Sequence, residues 1–235
     1  METLWNGMAA GLRLLYSGDP YLWQIIGVTA RVSGAALAIS ALIGIPGGAA
    51  LGLVHFRGRK LAQALIYTGM GLPPVVVGLA VYLLLSRHGI LGPYSLPWVP
   101  PLFTVPAMIW AQVIIATPLV AGYTMSAVAA VSPDLRLQLR SLGATPRQVT
   151  WAVLGEARLG VIVALVGGLG SIISEVGSVM MVGGNIQGST RVLTTAIMLE
   201  TQQGNWDKAI GLGVVLLLLS FLINFGVTQL QGRGN

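Results

Sequence analysis

Charge and cysteine are scarce in this sequence of 235 residues, and each scarcity excludes a class of protein. Charged residues make up 9% of the chain, whereas an ordinary soluble domain carries about 25%. A chain with so little charge cannot cover a water-facing surface with solvated groups, so a soluble globular fold is excluded, and so is a disordered chain. The absence of cysteine excludes disulfides, thiolate chemistry and cysteine-bound metal.

Lysine and histidine are also scarce, which restricts the possible catalytic sites. Lys60 and Lys208 are the only lysines, and neither follows the glycine-rich pattern of a phosphate-binding loop. His55 and His88 fall in different predicted loops, and no catalytic pair can be assembled, so an intramembrane enzyme is set aside. We expect no catalytic residue, metal site or cofactor in this chain. If an ATP-driven process is involved, ATP and Mg²⁺ must be bound by a partner ATPase.

Hydrophobic residues are abundant, at 54% of the chain. A membrane-crossing helix needs about 20 mainly apolar residues. Residues 1–22 mix aromatic and leucine side chains with charges, and they fit either an amphipathic helix at the membrane interface or a short lead-in. We predict an all-α integral membrane protein, a single transmembrane domain over residues 1–235, with an N-terminal interfacial helix and five transmembrane helices, at residues 32–54, 61–86, 104–130, 159–182 and 209–230.

The basic residues indicate which side of the membrane is cytoplasmic, because cytoplasmic loops carry an excess of Lys and Arg. The loops after the first and third spans, together with the C-terminus, hold eight of the 13 basic residues, and the other side holds five. We therefore expect the N-terminus outside and the C-terminus inside. This topology accounts for most of the net charge of +6, so the charge does not call for a nucleic-acid partner.

The cytoplasmic loop at residues 131–158 is unusually long, and its sequence predicts two helices. The run Ser132-Pro133-Asp134 supplies a capping serine, a first-position proline and an early acid. Gly143 suits the left-handed end of the first helix, and Thr145 with Gln148 forms a capping box for the second. The loop is either a solvated helical hairpin or a docking element for a cytoplasmic partner, whose contact residues would be Ser132, Pro133, Asp134, Leu135, Arg136, Leu139, Arg140, Leu142, Gly143 and Ala144.

Three further segments carry a specific pattern: residues 71–79 (GLPPVVVGL), 173–186 (ISEVGSVMMVGGNI) and 190–201 (TRVLTTAIMLET). With the loop, they resemble the membrane permease subunit of tungstate-type bacterial ABC importers, which are relatives of the molybdate permeases. In the loop, Gly143 matches the glycine of the permease motif, although Leu137-Gln138-Leu139 stands where the motif has Glu-Ala-Ala. The resemblance covers about residues 22–230.

This resemblance implies a type I ABC-importer permease fold in the inner membrane of a bacterial cell. It also implies a homodimer of this permease, two cytoplasmic ABC ATPase subunits and an extracytoplasmic oxyanion-binding protein. The expected function is uptake of tungstate by alternating access, with molybdate as the alternative substrate. A secondary transporter or channel that works without ATP is the alternative from another class, but the long capped loop would then have no purpose.

Passage of a hydrated oxyanion requires several modest hydrogen-bond donors instead of one deep trap. Hydroxyl and amide side chains provide such donors, although each of them can equally bond one helix to another. The candidates for the translocation path are Thr68, Ser174, Ser178 and Asn185.

Glu175 and Arg191 are two further candidate residues. Glu175 is the one charge inside a predicted span. Because a bare carboxylate would repel a dianion, we expect Glu175 to support a helix break near Gly177 instead of lining the path. Arg191 is the strong anion attractor of the outer loop, where it either guides the oxyanion at the mouth, pairs with an acid of the binding protein, or anchors the loop at the interface. We expect Ser189 or Thr190 to cap the helix that follows.

Overall fold

The structure is a computed structural model that describes Gly11, Tyr16 and residues 18–54, 56–94 and 96–232. Every regular element in these ranges is helical. The predicted interfacial segment, residues 1–22, lies largely outside the described residues, and its last three residues belong to the first long helix.

Ten α-helices and one 3-10 turn follow one another along the described chain. In chain order they are α1 (Pro20–Leu53), α2 (Arg59–Met70), α3 (Pro74–Leu85), the 3-10 turn (Gly92–Tyr94), α4 (Val105–Ala129), α5 (Pro133–Ser141), α6 (Pro146–Glu156), α7 (Arg158–Ser174), α8 (Gly177–Gly183), α9 (Leu193–Gln202) and α10 (Trp206–Gly232).

By length and composition, three of these helices can cross a membrane, or up to five segments can if each bent helix pair counts as one span. The three single helices are α1, α4 and α10. Helix α4 coincides with the predicted third span, 104–130, to within one residue at each end. The bent pairs are α2 with α3 and α6 with α7.

The first predicted span began too late. Helix α1 starts at Pro20, not at residue 32, and runs through Arg31 for 34 residues. Its start is fixed locally, since the Asp19 carboxylate accepts the backbone N–H of Tyr21 at 2.9 Å, as an N-cap side chain does. Arg31, the single charged residue of the helix, therefore does not mark the start of the helix, as the sequence pattern had suggested.

The second and fourth predicted spans are each interrupted. Residues 61–86 are divided between α2 and α3, which begins at Pro74 because proline at the first helical position needs no N–H partner. Residues 159–182 are divided between α7, which ends at Ser174, and the short α8. Both interruptions lie next to proline or glycine, the residues that most often break a membrane helix.

The Cα positions divide the chain into two compact units. The first holds the chain up to Ala36, Pro73–Gln112 and the chain from Ile172, and the second holds Leu37–Leu72 and Val113–Ser171. Helices α1, α4 and α7 therefore contribute residues to both units.

In the first unit, the start of α1 packs with α9 and α10 around an apolar cluster that includes Leu22, Ile25 and Leu193. Helix α8 lies against α3 at very short range. A Cβ added to Gly78 would lie 2.5 Å from the Cα of Ser178, so only glycine permits this approach of the two backbones.

In the second unit, α1 and α4 meet through small residues. A Cβ on Gly44 would lie 3.0 Å from the Val120 side chain, one on Gly48 would collide with the Ala121 carbonyl, and one on Gly52 would crowd Met125. Glycines four residues apart share one helix face, and they allow two membrane helices to approach closely. This contact holds the C-terminal half of α4, from which the 131–158 loop follows.

Candidate functional site

The first helix of the 131–158 loop has the predicted capping residues at both ends. The Ser132 hydroxyl accepts the backbone N–H of Asp134 at 3.2 Å, and Pro133 is the first residue of α5. At the other end Gly143 has φ +82°. Its N–H donates to the Arg140 carbonyl at 3.0 Å, and the N–H of Ala144 donates to the Leu139 carbonyl at 3.0 Å. These two bonds form a Schellman motif.

The second helix of the loop, α6, begins with the predicted capping box. The Gln148 side chain accepts the N–H of Thr145 at 2.8 Å, and the Thr145 hydroxyl accepts the N–H of Gln148 at 3.4 Å. This box directly follows the Schellman motif that ends α5. The connection between α5 and α6 is therefore held by backbone hydrogen bonds on the α5 side and by side chain–backbone hydrogen bonds on the α6 side.

Four of the ten predicted contact residues are half-buried within the second unit, to which they belong. Leu135, Leu139 and Ala144 pack on an apolar cluster from α1, α4 and α6 that includes Val128 and Val153. The fourth, Arg136, donates from Nη2 to the Val128 carbonyl at 2.7 Å, in the last turn of α4, where carbonyls lack the full set of helical partners. These side chains fix α5 to the fold and leave little surface for a partner.

The remaining contact residues are exposed, and so are two apolar residues that the prediction omitted. Leu142 is 83% exposed, and the omitted Leu137 and Trp151 are 63% and 65% exposed. Helical periodicity would have identified Leu137, because a residue two positions from Leu135 and Leu139 lies on the opposite face of α5.

In the first unit, Arg191 and Asn185 are brought together. The Arg191 Nε donates to Asn185 Oδ1 at 3.2 Å, and Nη2 donates to the Asn185 carbonyl at 3.3 Å. Nη1 donates to the Tyr21 hydroxyl at 2.8 Å. Asn185 has φ +50°, a conformation that asparagine tolerates better than most residues. Asn185, predicted as a path residue, thus orients Arg191.

The cap predicted for the helix after Arg191 is wrong. Helix α9 begins at Leu193, and the Thr195 hydroxyl accepts the N–H of Val192 at 3.1 Å. Thr190, which is fully buried, donates instead to the Gly183 carbonyl at 2.6 Å. Threonine in the sequence signals a cap, but it does not reveal which of the three nearby threonines makes it.

Glu175 lies at the break between α7 and α8, where its contacts are structural. Its Oε1 accepts the backbone N–H of Ser178 at 2.9 Å, one of the open donors at the start of α8. The Thr194 hydroxyl donates to the Glu175 carbonyl at 3.1 Å. These are bonds of the kind expected for a residue that supports a helix break.

The other path candidates have different surroundings. Thr68, on α2 in the second unit, and Ser174, at the end of α7, are exposed. Ser178 is fully buried against Gly78 of α3, so it does not line an open passage of this subunit. Among the described residues, no group of three acidic or histidine side chains is placed to hold a metal ion.

Sequence patterns did not identify the polar residues of α1 that hold the 183–192 segment. Gln24 donates to the Gly188 carbonyl at 3.0 Å, and the Thr29 hydroxyl accepts the N–H of Leu193 at 3.0 Å. Together with Tyr21, they connect positions more than 160 residues apart in the chain. Such pairs leave no local pattern.

The chain is similar to known transport proteins. Residues 44–233 match the family model described as the binding-protein-dependent transport system inner membrane component. The chain is 45% identical over 209 residues, 87% of this chain and 88% of the other, to a probable anion ABC transporter permease protein of Haloferax volcanii.

Two further similarities cover nearly the whole chain. It is 39% identical over 231 residues, 98% of this chain and 99% of the other, to the tungstate uptake system permease protein TupB of Peptoclostridium acidaminophilum. The fold matches a chain from the crystal structure of a bacterial ABC transporter involved in the import of alginate, with a TM-score of 0.76, 21% identity and coverage of 96% and 83% of the two chains.

Proposed function

Because the chain belongs to the family of binding-protein-dependent transport system inner membrane components, we propose that it is the permease subunit of an ABC importer that takes up tungstate. The substrate rests on the similarity to a tungstate uptake permease over nearly the full length of both chains. Molybdate, a dianion of the same shape and almost the same size, is the alternative substrate.

The observation that carries the permease function is the construction of the 131–158 loop. Helix α5 presents the exposed Leu137, and the exposed Leu142 follows its last residue. Leu135 and Leu139 fix the other face of α5 to the cluster with α1 and α4. When a partner covers an exposed apolar side chain, burial of its surface favours the complex by about 25 cal/mol for each Å². The loop is thus suited to bind a partner and to pass on its movement.

The partner proposed for this loop is a cytoplasmic ATPase. The complete importer would contain two copies of this permease, two ATPase subunits that bind ATP and Mg²⁺, and an extracytoplasmic oxyanion-binding protein. Each permease would cross the bacterial inner membrane five times, with the N-terminus outside and the C-terminus inside. Closure of the ATPases would move the loop and switch the spans between outward-open and inward-open states. No step in this scheme needs a catalytic residue or a nucleic acid.

Within the permease, we assign the path to hydroxyl groups and assign a supporting role to the acid. Thr68 and Ser174 are exposed and are the remaining path candidates. Glu175 holds the start of α8 through the Ser178 N–H, and Ser178 itself packs against α3. A carboxylate engaged with a backbone donor at a helix N-terminus stabilises the break that it occupies.

The test is Leu142→Glu in the complete importer, reconstituted in vesicles with its ATPase and binding protein. Leu142 is 83% exposed, so the change leaves the permease folded, while the carboxylate prevents apolar docking. We expect the ATPase no longer to co-purify and ATP-driven tungstate uptake to be lost. Ile90→Glu is the matched control, since Ile90 is 73% exposed in the loop that the topology places outside.

Three outcomes would contradict the proposal. Normal uptake in Leu142→Glu would show that the loop does not couple transport to ATP. Accumulation of tungstate against its gradient by vesicles that hold only this chain would establish a secondary transporter. Uptake of molybdate with tungstate excluded would keep the permease function and replace the substrate.

A further inference from the structure

The three hydrogen-bond acceptors of the Arg191 guanidinium are all neutral. They are the Tyr21 hydroxyl, the Asn185 side-chain oxygen and the Asn185 carbonyl. Within the described part of the chain no carboxylate is hydrogen-bonded to the guanidinium, which also lies 6.0 Å from the centre of the Tyr21 ring. The positive charge is therefore fixed in position without being neutralised.

The guanidinium has hydrogen-bonding capacity to spare. An arginine has five N–H donors, and three of them are used by Tyr21 and Asn185. The remaining two belong to a planar group whose orientation is set from two sides. A guanidinium held in this way suits an oxyanion, because it meets tetrahedral oxygens with paired N–H groups at little further cost in conformational entropy.

The arginine is not needed merely to tie the 183–192 segment to α1. Gln24 already bonds to Gly188, and the Thr29 hydroxyl bonds to the N–H of Leu193. Both tethers are neutral. Arg191 is half-buried, so its charge has lost part of its hydration, a cost that a neutral tether would avoid.

We propose that Arg191 is the outer contact for the transported oxyanion, with Asn185 and Tyr21 as its positioning residues. The proposal rests on the function inferred above, which supplies the tetrahedral dianion and places this segment outside the membrane. The anion would meet the two remaining N–H groups after its release from the binding protein. Partial burial strengthens the attraction, because the charge is less screened than on an open surface.

The decisive variant is Asn185→Asp, because it separates the charge of Arg191 from its position. Aspartate has nearly the shape of asparagine, tolerates the left-handed backbone and keeps the oxygen that now lies 3.2 Å from Nε. The bond that it loses, from Asn185 Nδ2 to the Thr195 carbonyl, is 3.5 Å long and therefore weak. It adds a negative charge at that point. If Arg191 only holds the segment in place, the new ion pair leaves transport unchanged or improves stability.

We expect tungstate uptake per ATP hydrolysed to fall about tenfold or more in Asn185→Asp. This fall corresponds to the loss of one charge-assisted hydrogen bond between Arg191 and the oxyanion. ATP hydrolysis stimulated by the loaded binding protein should persist. Arg191→Lys, which keeps the charge but not the planar group, should retain more uptake than Arg191→Gln. Gln203→Glu is the matched control, since it adds the same charge at an exposed position after α9, and it should behave as wild type.

The assay uses the complete importer in vesicles, and its outcomes are distinct. Wild-type uptake in Asn185→Asp would overturn the proposal and leave Arg191 a structural anchor. Loss of the stimulated ATP hydrolysis in Arg191→Gln and Asn185→Asp would also overturn it, because Arg191 would then pair with an acid of the binding protein. Failure of the wild-type importer to take up tungstate would instead refute the function on which the proposal rests.

Discussion

Substitutions of Gly143 test the left-handed backbone conformation that connects α5 to α6. Its backbone has φ +82°, and no atom lies within 4 Å of the position that a Cβ would take. Gly143→Ala therefore meets no steric obstacle, and its whole cost is the left-handed backbone, about 1–2 kcal/mol for an L-residue. Gly143→Pro costs more, because proline cannot adopt this φ and removes the N–H that bonds to the Arg140 carbonyl.

The measurement is amide hydrogen exchange of α5 in the purified permease. A local cost of about 1–2 kcal/mol raises the population of the opened helix end, so exchange of the α5 amides in Gly143→Ala should be about 5- to 30-fold faster. Gly155→Ala is the matched control. Gly155 lies inside α6 with open space around it, and alanine there should leave exchange unchanged or slow it.

Substitutions of Gly143 should also affect transport. Gly143→Pro should abolish ATP-coupled uptake while the protein is still inserted in the membrane, whereas Gly143→Asn should keep most of it, because asparagine tolerates the left-handed conformation. Equal exchange rates in Gly143→Ala and the wild type would refute the role of the backbone conformation. Normal uptake in Gly143→Pro would refute the role of the connection between α5 and α6 in coupling.

Two further variants test contacts of the first unit. Gly78→Ala places a methyl group 2.5 Å from the Cα of Ser178 and should destabilise the permease by about 1–3 kcal/mol, which would lower the midpoint of thermal unfolding in detergent. The control Gly170→Ala, with open space around it, should leave the midpoint unchanged. Equal midpoints for Gly78→Ala and the wild type would contradict the close approach of α3 and α8. Glu175→Gln keeps an acceptor for the Ser178 N–H, so this variant should assemble and transport tungstate as the wild type does. Glu175→Ala should lose about 1 kcal/mol of stability. A changed substrate in Glu175→Gln would show instead that this side chain lines the path.

Features that depend on neighbouring residues were predicted well from the sequence. The caps at Ser132, Gly143 and Thr145 are confirmed, because each consists of a side chain or backbone angle acting within a few residues. The bounds predicted for the third span agree with those of α4 for a similar reason, since α4 is a single uncharged and mainly apolar run. Composition also sufficed to predict a helical membrane protein.

Features that depend on packing were predicted poorly. The charge of Arg31 shortened the first predicted span, although a long helix accommodates it. The contact set of α5 mixed inward and outward residues, because Leu135 and Arg136 were judged by type and not by helical phase. The partners of Arg191 in α1 could not be predicted, since Tyr21 lies 170 positions away in the chain.

The glycines that end α5 and α8 show why the two loops are suited to different tasks. Gly184 has φ +71°, and a Cβ there would lie 2.7 Å from the Phe103 ring, whereas the surroundings of Gly143 are open. The 183–192 segment is thus confined by its neighbours, which suits a charge that must stay in place. The exposed side of the 131–158 loop is open to a partner. The connection between α5 and α6 is nevertheless held by hydrogen bonds, because the Schellman bonds at Gly143 are followed directly by the Thr145 capping box. A force on Leu142 would therefore move α5 and α6 together, and the cluster around Val128 and Val153 would pass that movement to α1 and α4.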